Sequence, residues 1–206
     1  TSTKPNEPTV EDKTPIDQQS VEILLGNNDN PSNTTQYQVK LVNGTEVITD
    51  WSTKLAFLVE GLEGNTEYTV EARARVINLE GSETDWVDGG TVKTMPNPLD
   101  IDDLVLINPE TLLPYEIEQD EILLDKREFN LDLPTLAGVT YQYKLTLDEN
   151  DSLSEGLAPY TNNMLIAAPE DGIWYLIIVA TNEAGSTKTI IKLVVDTENP
   201  YFEVNS

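Results

Sequence analysis

The residues of this chain that could do chemistry are its carboxylates. Thirty-seven of 206 residues are Asp or Glu, and there is no His and no Cys. That inventory removes disulfides, thiolate nucleophiles, the usual zinc ligands and the commonest general base. Two kinds of chemistry remain open to oxygen ligands alone: holding a hard divalent cation such as calcium, and a glycosidase-type carboxylate pair. The pair carries no information here, because 37 acids always supply two at a workable separation. No enzyme activity is expected.

For calcium, the acids fall into small groups. Asp100, Asp102 and Asp103 follow a proline-rich junction, and Asp196 and Glu198 stand near the far end. These five are the candidate metal ligands, since a hinge is where acids from two elements converge. Glu118, Asp120 and Glu121 form a further group, and so do Asp148, Glu149 and Asp151. None has the EF-hand spacing with its Gly and terminal Glu, so solvated loop is the competing reading for all of them.

The charge balance limits partners. Twelve Lys and Arg against 37 acids leave a formal net charge of −25, which repels nucleic acid and anionic membrane surfaces. Apolar runs are all shorter than the ~18 residues of a spanning helix, so no membrane insertion is expected. The protein or glycan ligand is left unidentified. Trp51, Trp86 and Trp174 could stack on sugars, with burial in a core as the alternative. Arg73 and Arg75 are expected to pair with nearby acids.

These side chains need strands to position them. Hydrophobic content is only 38%, yet the aliphatic residues gather into strand-length runs separated by Gly, Pro, Asn and Asp. In the first half Val21, Ile23 and Leu25 share one face, as do Tyr37, Val39 and Leu41, and Leu55, Phe57 and Val59. The longest alternation places Tyr68, Val70, Ala72, Ala74 and Val76 on one side and Thr69, Glu71, Arg73 and Arg75 on the other. Before it, GLEGNTEY sets Leu62 at a turn and Tyr68 at the strand entry, the pattern of a tyrosine corner whose phenol bonds back to upstream backbone. Leu62 and Tyr68 are therefore expected to be structural.

On these residues, the segment from about 8 to 95 resembles a fibronectin type III domain of bacterial type. One departure is that Ile23 stands where the family commonly has a Trp, and Trp51 or Trp86 is expected to fill that volume. The segment between Asn78 and Asp85 lacks the RGD tripeptide of integrin-binding members.

MPNP at 95–98 marks a boundary, since two prolines in four residues do not continue a central strand. Beyond it DLVLI, EILL, REFNLDL and VTYQYKLTL read as strands. In the last, Tyr141, Tyr143, Leu145 and Leu147 are expected inward and Thr140, Gln142, Lys144 and Thr146 outward. DGIWYLIIVAT is apolar on both faces, so loops or a neighbouring domain should cover its second face. The run from Pro169 to Pro200, with Asp171, Gly172, Trp174, Ala180, Thr181, Ala184, Gly185, Asp196 and Thr197, resembles the C-terminal half of bacterial immunoglobulin-like repeats. That resemblance implies that the exit Asp196 holds calcium, although Asn182 stands where many such repeats carry an Asp.

The expectation is an all-β protein of two tandem immunoglobulin-like β-sandwich domains. Residues 1–8 form a linker, 9–96 the fibronectin type III-like domain, 97–198 the bacterial immunoglobulin-like domain, and 199–206 a linker or the start of a next module. Such a chain would be a monomeric piece of a longer secreted or cell-surface protein, serving as a spacer or adhesion pair. The alternative is an accessory pair of a secreted polysaccharide-degrading enzyme.

Overall fold

The computed structural model describes residues 4–118, 121–153 and 155–198. The chain divides into two compact units at the Asn97–Pro98 bond, with Asn182–Gly185 counted in the first. Both are β-sandwiches, so the all-β expectation of two immunoglobulin-like sandwiches is what the chain adopts.

Among the described residues the first unit has seven strands: β1 Thr9–Pro15, β2 Val21–Gly26, β3 Thr35–Asn43, β4 Thr45–Ile48, β5 Ala56–Val59, β6 Glu67–Val76 and β7 Val87–Lys93. They pair antiparallel as β1-β2-β5 and β4-β3-β6-β7. Alternation decides what goes inside. Val21, Ile23 and Leu25 of β2, Tyr37, Val39 and Leu41 of β3, Phe57 and Val59 of β5, and Tyr68, Val70, Ala72 and Ala74 of β6 are all buried between the sheets. Gly44 turns the β3–β4 hairpin at φ +67°, a region that costs glycine nothing.

β1 carries no sequence signal, since TVEDKTP shows no clean period of two; a bulge between Val10 and Asp12 shifts its pairing with β2. One expectation needs correction. Trp51 and Trp86 do not fill the core: it closes without either, with Ile23 fully buried beside Tyr37 and Phe57. The missing volume was never vacant, since aliphatic and tyrosyl side chains packed across a thin sandwich occupy it.

Among the described residues the second unit carries the 3-10 helix Ile101–Asp103 and nine strands: β8 Val105–Ile107, β9 Ile117–Glu118, β10 Glu121–Leu124, β11 Glu128–Asp132, β12 Thr140–Thr146, β13 Ala158–Pro159, β14 Met164–Ala167, β15 Gly172–Asn182 and β16 Gly185–Val195. They form a three-stranded sheet, β14-β11-β8, and a six-stranded sheet, β13-β12-β15-β16-β10-β9. The front of the unit divides its pairing between the two sheets. β8 pairs antiparallel with β11, the chain crosses over, and β10 then runs parallel to β16. The crossing loop is tied by the buried Asn108, whose Oδ1 accepts the backbone N–H of Glu110 at 2.9 Å and of Thr111 at 3.2 Å.

β15 is buried on both faces, as its composition requires. Trp174, Leu176, Ile178 and Ala180 enter the core, while Ile177 and Val179 are buried on the other side. Lys144 of β12 lies directly opposite Ile177 in the register. Its ammonium is held by the carbonyls of Ser152 and Glu155 and by the Asp151 carboxylate at 2.9 Å, so the aliphatic stem lies over the sheet beneath these residues. Lys144 is thus outward but only 8% exposed. Leu147, expected inward, is exposed, because β12 ends at Thr146.

Candidate binding surface

The outer face of β3 and β6 carries an ordered set of polar side chains. Alternation that sends Tyr37, Val39 and Ala74 inward sends Gln36, Gln38 and Lys40 of β3 and Arg75, Arg73 and Glu71 of β6 outward. The register sets them in direct cross-strand pairs: Gln36 with Arg75, Gln38 with Arg73, Lys40 with Glu71.

Two loops bring aromatic rings onto this face. The segment after β4 is zipped to β3: Thr49 N–H donates to Val39 O at 3.0 Å, Thr49 Oγ1 accepts Val39 N–H at 3.1 Å, and Tyr37 and Ser52 exchange both backbone bonds. That fixes Trp51 above the sheet. Before β7, Thr84 exchanges bonds with the backbone of Ala74, and Ser82 Oγ accepts Val76 N–H at 3.0 Å, which places Trp86.

A ladder of alternating cations and rings results. Arg75 lies 4.2 Å from the Trp51 centroid, Arg73 4.9 Å from Trp51 and 4.3 Å from Trp86, and Lys40 4.7 Å from Trp86. Each contact places a positive charge on the negative face of an indole. Nε and Nη2 of Arg73 both donate to Gln38 Oε1 at 3.0 and 2.7 Å, and those of Arg75 to Gln36 Oε1 at 3.0 and 2.9 Å. Gln38 is anchored in turn by its Nε2 donating to Thr49 O at 2.8 Å.

The charges along the ladder are not treated alike. Lys40 pairs with Glu71, and with Glu46 at 3.3 Å, and the bond to Glu71 pushes its pKa up. Arg73 and Arg75 have no carboxylate within ion-pair reach among the described residues. The expectation that they pair with acids is corrected: with Gln opposite each of them, the guanidinium forks settle on amide oxygens and indole faces. The sequence held the signal, in alternating Gln on one strand and Arg on another. The tryptophans gave none, because their position depends on loops.

The other candidate residues lie elsewhere and do not converge. Asp100 caps the 3-10 helix, its Oδ1 accepting Ile101 N–H at 2.8 Å, while Asp103 Oδ2 accepts Asp100 N–H at 3.0 Å; Asp102 is exposed beside them. Asp196 Oδ1 accepts Glu198 N–H at 3.1 Å, and the Asp196 N–H donates to Leu124 O. Asp148 Oδ1 takes the N–H of Asn150, and Glu121 binds Lys192 at 2.6 Å. Among the described residues no three carboxylates gather as a cation site. Asp120, the Glu118 side chain, Pro200 and the 199–206 segment lie outside the described residues.

Asp171 is the acid the sequence reading undervalued. Its Oδ2 accepts the backbone N–H of Thr197 at 3.0 Å and the Thr197 hydroxyl at 2.7 Å, and its Oδ1 accepts Arg127 Nε at 2.7 Å. The Thr197 bonds first, and then Arg127, lower its pKa to about 2. It latches the chain leaving β16. Tyr68 and Leu62 are both buried, and the Tyr68 oxygen accepts Glu63 N–H. Trp174 is a core residue, with Nε1 donating to Glu170 O at 3.0 Å.

No family model and no curated protein matches the chain. Among solved structures, the crystal structure of FN3tt is similar over 47% of this chain and 100% of its own, at 22% identity and a TM-score of 0.36. The two fibronectin type-III domain segment from chicken tenascin is similar over 92% of this chain and 99% of its own, at 10% identity and a TM-score of 0.42. Scores this low carry no argument, and the sandwich assignment rests on the strand pairing itself. Among the described residues no helix is long and apolar enough to cross a membrane.

Proposed function

We propose that this chain is a non-catalytic spacer or adhesion pair from a longer extracellular protein, displayed on a bacterial surface or secreted. One observation carries the reading. Each unit closes its own core, and several carboxylates, Asp100, Asp103, Asp151, Asp171 and Asp196 among them, are engaged in a cap, turns, an ion pair and a strand latch. A module of that kind bears load and presents a face. The resemblances in both halves support the same class, and the net charge of −25 suits a solubly displayed surface.

Mechanical unfolding tests this directly. Stretching the chain from its ends should give two separate unfolding events, each releasing roughly 30 nm of chain at about 3.5 Å per residue. Residues 1–97 and 98–206 expressed alone should each melt cooperatively. A single concerted event, or cleavage of any polysaccharide in a panel followed by reducing-end release, overturns the proposal.

A further inference from the structure

We propose that the outer face of β3 and β6 binds a polyuronate, a polysaccharide bearing carboxylates, through Arg73 and Arg75. This rests on the adhesion reading above and names the ligand class. The chain has three arginines, and two of them stand two residues apart on one face of one strand, about 6.5 Å from each other along it. In a chain with 37 acids, both lack a carboxylate partner among the described residues. Lys40, the third cation of the ladder, is already neutralised by Glu71 and Glu46.

The geometry favours a planar anion. Each guanidinium spends Nε and one side of Nη2 on a glutamine oxygen, which leaves its Nη1/Nη2 edge without a protein acceptor. That edge presents two parallel N–H groups, the fork that fits a carboxylate. The rings that clamp the arginines hold this fork in place before any ligand arrives, so little ordering remains to be done on binding.

Trp51 has Arg73 and Arg75 on its ring and Trp86 has Arg73 and Lys40, so both rings are engaged by cations, and the free guanidinium edges are the donors this face offers a ligand. A peptide that binds by strand addition is a poorer fit, because β3 and β6 are the inner strands of β4-β3-β6-β7 and a peptide strand adds only at an edge. Residues 1–97 carry a net charge of −9, yet at about 0.15 M salt charges beyond roughly 8 Å are largely screened, while contact pairs are not.

Titrate the whole chain at about 0.15 M salt with polygalacturonate oligomers, neutral dextran and poly-glutamate, following backbone and side-chain N–H signals by NMR. Polygalacturonate should bind, with shifts centred on Gln36, Gln38, Trp51, Arg73, Arg75 and Trp86. The double variant Arg73→Gln/Arg75→Gln should weaken binding at least about tenfold, since each charge-assisted hydrogen bond is worth one to two powers of ten. Arg73→Lys/Arg75→Lys, which keeps charge and loses the fork, should also weaken it. If the Gln variant does not fold, the shift map on the unsubstituted chain decides. Absence of polygalacturonate binding, shifts centred elsewhere, unchanged affinity in a folded variant, or equal binding of dextran or poly-glutamate overturns the proposal. Failure here with two independent unfolding events and no turnover removes the ligand and leaves the module reading standing.

Discussion

The phenol oxygen of Tyr68 accepts the backbone N–H of Glu63, five residues upstream, at 2.8 Å, while the ring is buried in the sandwich. The bond pins the turn that contains Leu62 to the strand that carries both ladder arginines. Tyr68→Phe keeps the ring and orphans the amide, so it should cost about 1 to 3 kcal/mol. Urea denaturation measures it, and an unchanged midpoint would show that the corner does not hold the turn.

The ladder ranks its own members. Arg73 touches two indoles and Arg75 one, and an exposed cation–π contact is worth about 0.5 to 1 kcal/mol. Arg73→Ala should therefore destabilise by about 1 to 2 kcal/mol and Arg75→Ala by less. Denaturation midpoints of the two variants check the order, and a larger loss for Arg75→Ala would contradict it.

Asp171 makes the second unit acid-sensitive in a defined window. Its folded pKa of about 2 lies below the ordinary 3.8, so its contribution is present above the ordinary value and is lost as pH falls towards 2. Asp171→Asn removes the charge. The melting-temperature gap between the chain and this variant should be constant above pH 5 and close between pH 4 and 2. A gap that widens on acidification would reverse the sign of the argument.

Calcium and sodium chloride can be separated. Asp100, Asp103 and Asp196 already accept backbone N–H groups within their own turns, and no three carboxylates gather among the described residues. Relief of self-repulsion alone should then raise the melting temperature equally in calcium and in sodium chloride of matched ionic strength. A saturating excess in calcium would reveal a specific site, of size RT ln(1 + [L]/Kd).

Much of this protein was decided locally. Alternation in VEILL, QYQVKL and EYTVEARARV settles which side chains meet in the core, because a strand's two faces differ by one residue and only one assignment buries the apolar set. GLEGNTEY placed Tyr68 and Leu62 for the same reason, since a turn and its anchoring ring lie within a few residues. Net charge, and the absence of His and Cys, excluded whole classes of chemistry without any coordinates. What the tertiary structure alone decided depends on segments distant in sequence. β1 is hidden by its bulge, and β10 finds β16 some 70 positions later. Trp51 and Trp86, far from each other along the chain, close on Arg73 because two loops are stitched to neighbouring strands by backbone bonds that no side-chain pattern announces. Sequence alternation could say that Arg73 and Arg75 face outward; only strand register and loop closure could say that they lie against the rings of Trp51 and Trp86 and leave their outer edges unspent.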